Sequence, residues 1–315
     1  MNEPIFLTPS FQERIWGGTR LKTVYHYDIP SNRTGECWAI SGHEHGESTI
    51  ISGIYTGRTL SELWNLNPNL FGFYNSDRFP LLTKILDANN DLSIQVHPDD
   101  EFASNFENGE FGKTECWYII DCKQDAEIVF GHHAQTKEEF KMMIENNHWN
   151  DLLQRIKIKP GDFFYVPSGT IHALCEGTLV LEIQQSSDTT YRVYDYNRYG
   201  SNGKKRDLHL EKAIAVTTIP HVTQKTEPKV RSMNEATITT FIKDNYFTVH
   251  KWDVHSRLEL VQDQHFMMVS VIDGEGTLEV NRHFYPIKKG GHFILPYNME
   301  NFILKGNISL IVSHP

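Results

Sequence analysis

Four lone-pair donors, far apart in the chain but each beside a strand-like segment, set the chemistry this sequence could do. In Leu92-Ser93-Ile94-Gln95-Val96-His97-Pro98, strand alternation puts Gln95 and His97 on the same face. Gly112-Lys113-Thr114-Glu115-Cys116-Trp117-Tyr118 places Glu115 at the start of a second strand, and His172 ends the run that begins at Gly161. One amide oxygen, two imidazoles and one carboxylate make a mixed N/O set suited to Zn²⁺ or a similar divalent ion, with a position open for water or substrate. Two histidines and a carboxylate would equally suit non-haem Fe(II), so ligand identity alone does not name the metal. Two other histidine pairs compete for the role. His43 and His45, in Ser41-Gly42-His43-Glu44-His45-Gly46, read as a polar turn at a strand end. His132 and His133 are adjacent, so on a strand they would face opposite ways and chelate poorly.

The elements that must position these residues read mostly as short strands. Trp117-Tyr118-Ile119-Ile120, Phe163-Phe164-Tyr165-Val166 and Leu179-Val180-Leu181-Glu182-Ile183 are β-branched and aromatic runs bounded by turn residues, which favours a sandwich or barrel. The spacing from Gly161 through Pro167 and Gly169 to His172 matches a conserved motif of the cupin superfamily, a jelly roll or double-stranded β-helix. In such a motif the glycine opens a tight turn, an apolar strand follows, and Pro-x-Gly turns the histidine into the barrel. Gly290-Gly291-His292-Phe293-Ile294-Leu295-Pro296 repeats the Gly-to-Pro spacing, but Asn301 stands where the first copy has His172. The fold class expected is therefore mainly β, with two cupin barrels, the second degenerate and without a metal site. Helical spacing of Phe140, Met143, Ile144 and Trp149 behind a Thr136/Glu139 capping box predicts a helical segment near 136–155, and a second near 207–217. Between them, the polar loop from Tyr199 to Arg206 reads as exposed. The polar stretch 220–234 resembles a linker, giving a catalytic unit over 1–232 and a C-terminal unit over 233–315.

Composition bounds the partners. The 315 residues carry a formal net charge of -10, which argues against nucleic acid, because phosphate neutralisation needs a basic face. An anionic ligand would need a local cationic pocket. There is no apolar run of membrane-spanning length, and Met1-Asn2-Glu3-Pro4-Ile5-Phe6 lacks the parts of a signal peptide, so a cytoplasmic protein without membrane partners is expected. Cys37, Cys116, Cys122 and Cys175 form no CxxC pair and read as reduced, mostly buried thiols.

Five motifs in order carry a more specific resemblance: Arg14-Ile15-Trp16-Gly17-Gly18, Gly35-Glu36-Cys37-Trp38, Phe79 to Ala88, Leu92 to Pro98, and Gly169-Thr170-Ile171-His172-Ala173. Together they resemble the type I mannose-6-phosphate isomerases, in their short bacterial branch, over essentially the whole chain. The resemblance implies Gln95, His97, Glu115 and His172 as ligands of one Zn²⁺ per chain, and Arg192 as the active-site arginine. It implies interconversion of mannose 6-phosphate and fructose 6-phosphate through a cis-enediol. Longer members have Lys-Pro-Glu where this chain has Lys113-Thr114-Glu115, and their helical insertion is reduced here to the small segments above. The isomerisation needs an electrophile for the carbonyl oxygen, which a metal supplies. It also needs a base, for which Lys84, Lys113 and Glu182 are the polar candidates. Arg192 suits either phosphate binding or the developing enediolate, whereas Arg198, Lys204 and Lys205 belong to the rim. Alternative readings are a cupin glucose-6-phosphate isomerase, a cupin dioxygenase, which has no use for the arginine and lysine set, and a non-catalytic sugar-binding cupin.

Overall fold

The structure, a computed structural model, describes residues 3–200, 203–299 and 301–315. Met1 and Asn2 of the amino-terminal reading, Ser201 and Asn202 of the polar loop, and Glu300 of the second Gly-to-Pro repeat lie outside the described residues. The architecture is mainly β, in three sheets. A six-stranded sheet runs in the order Phe163–Val166, Glu115–Cys122, Thr178–Gln185, Leu81–Ala88, Thr34–Ile40, Ser10–Gly18. It faces a five-stranded sheet in the order Tyr191–Tyr194, Ile94–Val96, His172–Leu174, Glu127–His132, Leu153–Lys157. These two sheets form the first barrel, and the candidate metal-binding residues come from both.

The central strands Leu81–Ala88 and Thr178–Gln185 are buried at every position, as expected when both faces of a sheet are covered. Alternation still sorts them. Leu81, Leu181 and Ile183 face outward into an aromatic cluster with Trp64, Phe71, Phe79, Phe241, Phe247 and Phe266, whereas the intervening Lys84 and Glu182 face the barrel interior.

The third sheet has ten strands and curls around its own apolar interior, which includes Trp252, Val271, Leu278, Phe302 and Leu310. Met267–Val280 and Asn301–His314, each 14 residues long, form its backbone and pair along most of their length. Two strands of this sheet come from the start of the chain: Ile5–Thr8 pairs with His292–Leu295, and Thr49–Ile50 extends the edge. The two barrels are thus laced together by backbone ladders as well as by the aromatic cluster.

Both expected helical segments are present, and some local details differ from expectation. The segment expected as a helix over 136–155 is a helix Lys137–Glu145, a short turn of helix Trp149–Leu152, and then the strand Leu153–Lys157. Asn147, at a φ of 57°, takes the left-handed conformation that ends the first helix, and Leu153–Lys157 pairs with Glu127–His132. Thr136 accepts from the Glu139 backbone N–H at 3.1 Å, but the Glu139 carboxylate reaches Gln135 rather than Thr136, so the capping box is displaced by one residue. The helix expected over 207–217 is Leu210–Val216. The polar stretch 220–234 ends in an exposed strand, Lys229–Met233, which hairpins onto Ala236–Lys243, so a boundary near residue 232 falls inside a strand. None of the described helices is long and apolar enough to cross a membrane.

Phe266 joins the two barrels. Its ring, fully buried, lies 5.2 Å from Phe79, 5.5 Å from Phe71 and 6.0 Å from Trp64 between ring centroids. Replacing it with alanine is expected to cost about 3–5 kcal/mol, read as a lowered urea midpoint with an unchanged slope.

Candidate active site

Register assembles the site. In the five-stranded sheet Arg192 lies opposite Gln95, Gln95 opposite His172, and His172 opposite Phe130, so these four side chains form one row on one face. In the six-stranded sheet the facing row is Trp38, Lys84, Glu182, Trp117 and Phe164, with Gln184, Glu115 and Val166 one step along. His97 follows the strand Ile94–Val96 and precedes Pro98, which cannot continue a ladder. The Pro-x-Gly turn is clamped to it. Gly169, at a φ of 81°, where an added Cβ would sit 2.5 Å from Thr218 Oγ1, donates its N–H to the His97 carbonyl at 2.9 Å.

His97, Glu115 and His172 converge, all but excluded from solvent, with one donor atom from each lying within 4.8 Å of the others. His97 Nε2 is 3.4 Å from Glu115 Oε2, and His172 Nε2 is 3.4 Å from Glu115 Oε1. The second nitrogen of each ring fixes its tautomer. His97 Nδ1 donates to the Thr189 carbonyl at 2.8 Å and His172 Nδ1 to the Thr170 carbonyl at 2.9 Å. Both Nε2 atoms therefore carry lone pairs directed at the carboxylate. Burial, with Lys113 and His172 adding to it, holds His97 well below the usual histidine range, and burial holds His172 down to about 4. Both rings are neutral, as metal ligands must be.

The Glu115 carboxylate is fully buried; the Lys113 ammonium lies 3.0 Å from its Oε2, and its Oε1 accepts no hydrogen bond from the described residues. Two imidazole lone pairs facing a buried carboxylate that a single ammonium reaches are an arrangement that a further cation completes. The donor set fits a divalent ion on its chemistry: two imidazole nitrogens and a carboxylate, with Gln95 alongside. Gln95 directs its amide nitrogen at His172 Nε2, 3.3 Å away. Its oxygen accepts from the Ser93 hydroxyl at 3.4 Å and would serve as a ligand after a turn of the amide.

Lys113 supplies the positive charge nearest this cluster. Its Nζ is 3.0 Å from Glu115 Oε2 and 3.1 Å from His97 Nε2. Burial opposes its charge, but Glu115 and Glu182 outweigh burial and raise its pKa. The remaining expected residues line a cleft of about 410 Å³ that opens above the cluster: Lys84, Glu182 and Arg192, together with Gln95 and Lys113. Glu182 accepts from the Trp117 indole N–H at 2.9 Å, and burial, then the Glu115 charge, push its pKa up. Lys84 sits 3.9 Å from both Glu36 and Glu182 and 4.5 Å above the Trp38 ring. Arg192 forms no ion pair among the described residues, and its buried Nε lacks a partner. All eight expected residues are thus brought to one cleft and its floor.

The competing histidines are elsewhere. His43 packs edge-on against Trp38, and His45 Nδ1 donates to the Asp188 carboxylate at 3.2 Å on the exposed side. His132 pairs its Nε2 with the Thr218 carbonyl, and His133 is exposed. The four cysteines are free thiols, three of them buried. Arg198 and Lys205 lie outside the cleft lining. Three functional candidates have no role in the sequence reading: Arg14, Glu36 and Arg206, all lining the cleft. Arg14 grips Glu36 with two hydrogen bonds, at 2.8 and 3.1 Å, and Glu36 also accepts from the Trp38 indole at 2.6 Å. The spacing of Glu36 and Trp38, two apart on a strand, was the available signal for a shared inward face.

Two facing sheets closed over a His, Glu, His cluster beneath a cation-lined cleft define a cupin with a candidate divalent-metal centre. The family model for the catalytic domain of phosphomannose isomerase type I matches residues 5–118, and that for the mannose-6-phosphate isomerase cupin domain matches residues 237–315. The chain is 54% identical to the mannose-6-phosphate isomerase ManA of Bacillus subtilis over 99% of both chains. It is 47% identical to the mannose-6-phosphate isomerase of Streptococcus mutans over 100% of this chain and 99% of that one. A crystal structure of a mannose 6-phosphate isomerase from Bacillus subtilis, 55% identical, superposes with a TM-score of 0.99 over the full length of both. The chain belongs to the type I phosphomannose isomerase family.

Removing the central carboxylate tests the floor of the cleft. Loss of an outer partner of a metal ligand costs about 10–100-fold in affinity, so Glu115→Gln is expected to weaken binding of a divalent ion by more than about 100-fold. Calorimetric titration of chelator-treated protein with Zn²⁺ measures this directly.

Proposed function

We propose that this protein interconverts mannose 6-phosphate and fructose 6-phosphate, and that Gln95, His97, Glu115 and His172 hold one Zn²⁺ for that purpose. The observation that carries the reading is the convergence of the buried Glu115 carboxylate with two imidazole lone pairs, at the base of a cleft lined by cations. Full-length relatives named for this activity support it. A bound divalent ion supplies Lewis-acid polarisation of a sugar oxygen, typically worth several kcal/mol.

The chain's own residues do the rest. Glu182 is the group suited to carry the proton between C1 and C2. Its carboxyl is pushed toward the neutral form by burial, and the Trp117 indole holds Oε2 in place. Lys84 and Lys113, charged and on either side of Glu182, stand ready to balance negative charge on an enediolate. Arg192 lies two strands from His172, about 10 Å by strand spacing. That is a reach suited to an open-chain hexose with its phosphate at the far end, so Arg192 meets the phosphate. Catalysis belongs to the unit within 1–232, and the unit over 233–315 supports it structurally. A phosphorylated sugar as substrate and four free thiols fit a cytoplasmic setting.

A coupled assay with mannose 6-phosphate, repeated after chelation and after adding Zn²⁺ back, tests the whole reading. Activity is expected to vanish on chelation and return with the metal. Turnover of glucose 6-phosphate instead, or sugar binding without turnover, would replace it. Glu182→Gln is expected to lower kcat by about 10²–10⁴ with zinc content unchanged, as checked by elemental analysis.

A further inference from the structure

We infer that Arg206 is a second phosphate-gripping residue beside Arg192, held in readiness by Asp195. The inference rests on the phosphosugar reading above and adds to it a residue and its support. Both guanidiniums line the same cleft. The chain returns Arg206 to this wall by lacing the following segment onto the strand Tyr191–Tyr194. The His209 N–H donates to the Arg192 carbonyl at 2.8 Å, and the Arg192 N–H donates to His209 Nδ1 at 3.2 Å.

Asp195 orients the fork. Its carboxylate, 4% exposed, accepts Arg206 Nε at 2.8 Å and Nη2 at 2.5 Å, and also Arg198 Nη2 at 2.5 Å. This edge-on grip leaves Arg206 Nη1 without a hydrogen bond among the described residues, just as Arg192 Nε is left without one. Arg206 and Arg198 share the one Asp195 carboxylate and Arg192 forms no ion pair among the described residues, so this wall keeps a net positive charge. A phosphate monoester at neutral pH carries about -1.5 to -2. Arg192 has its pKa lowered by burial and then by Arg206, so the two cations press on one another until an anion joins them.

Of the acids on the same lining, Glu36 is held by Arg14, Glu182 lies by Lys84, and Glu13 is exposed at the rim. Asp188 bonds His45 and, with Asp195, partly offsets the push of Arg206 on Arg192. Arg198 spends its second contact on the Asp91 carbonyl and stands behind Asp195, outside the lining.

Calorimetric binding of a hexitol 6-phosphate, which cannot isomerise, and of the unphosphorylated hexitol to zinc-loaded protein separates the possibilities. Wild type is expected to prefer the phosphorylated compound. Arg206→Gln is expected to weaken that compound by about 10–100-fold, the worth of a hydrogen bond to a charged group, while the unphosphorylated hexitol binds as before. Arg206→Lys, which keeps the ion pair with Asp195 and guards against a folding defect, should lose less, and Asp195→Asn should fall between. Retention of hexitol 6-phosphate binding within about twofold in both Arg206 variants would overturn the assignment, as would equal weakening of the two hexitols. Wild type binding both hexitols alike would instead sink the phosphosugar reading, and this assignment with it.

Discussion

The first barrel is organised around an electrostatic demand: two imidazole lone pairs and a fully buried carboxylate are forced to face one another. Left alone, an unpaired carboxylate in a dry interior is among the costliest features a fold can hold. Lys113 meets part of the demand, and a divalent ion would meet the rest. The backbone keeps the groups from drifting apart. Gly169 bonds to the His97 carbonyl, Lys113 to that of Pro98, and Gln185 to that of Thr114, so each ligand-bearing segment is tied to another. The ring tautomers are set by carbonyls of Thr170 and Thr189, from the same interlocked segments. Relieving the crowding by moving one donor would break several main-chain hydrogen bonds at once.

Outward from that cluster, charge alternates across the six-stranded sheet: Glu115, Lys113, Glu182, Lys84, Glu36, Arg14. Each of these buried charges has an opposite neighbour, which offsets part of the desolvation that burial imposes. Trp38 and Trp117 contribute twice. Their indole N–H groups donate to Glu36 and Glu182, and their rings supply apolar bulk between charges, with Lys84 lying over Trp38. A substrate entering this cleft meets fixed dipoles and charges in place of mobile solvent, the condition under which electrostatic stabilisation is most effective.

How much of this could be read from the chain depends on the range of each interaction. The Gln95/His97 pair and the Gly161-to-His172 motif are local patterns, governed by alternation and by a turn that only glycine tolerates, and both were legible. The two-barrel, mainly β architecture followed from strand-like runs and a repeated Gly-to-Pro spacing. What escaped is non-local. Nothing near Arg206 in sequence announces Arg192; their meeting depends on a segment folding back along a strand. Ile5–Thr8 falls by position in the first unit, yet its partner is His292–Leu295, nearly the whole chain away. The helical segment expected near 136–155 is present as Lys137–Glu145 and Trp149–Leu152, and only its end differs: Leu153–Lys157 has a partner strand in Glu127–His132, and tertiary pairing overrides a weak helical period.

The pairing of barrels also explains how a sheet can bear so many charges inside. A strand whose inner face holds Lys84, Glu182 or Glu115 gains little from burying that face, and it must recover stability from the other. Leu81, Cys116, Tyr118, Leu181 and Ile183 on the outer face pack against Phe241, Phe247, Phe266, Met268 and Ile311 of the ten-stranded sheet. The second barrel keeps its own interior apolar and offers its flank as the wall against which the first is built. At roughly 1.5–3 kcal/mol for each large side chain taken from water, that shared cluster is of the right size to carry a polar interior. On this argument the C-terminal unit serves the chemistry without touching substrate: without it the outer face would be wet, and the strands could not keep their charged residues in register.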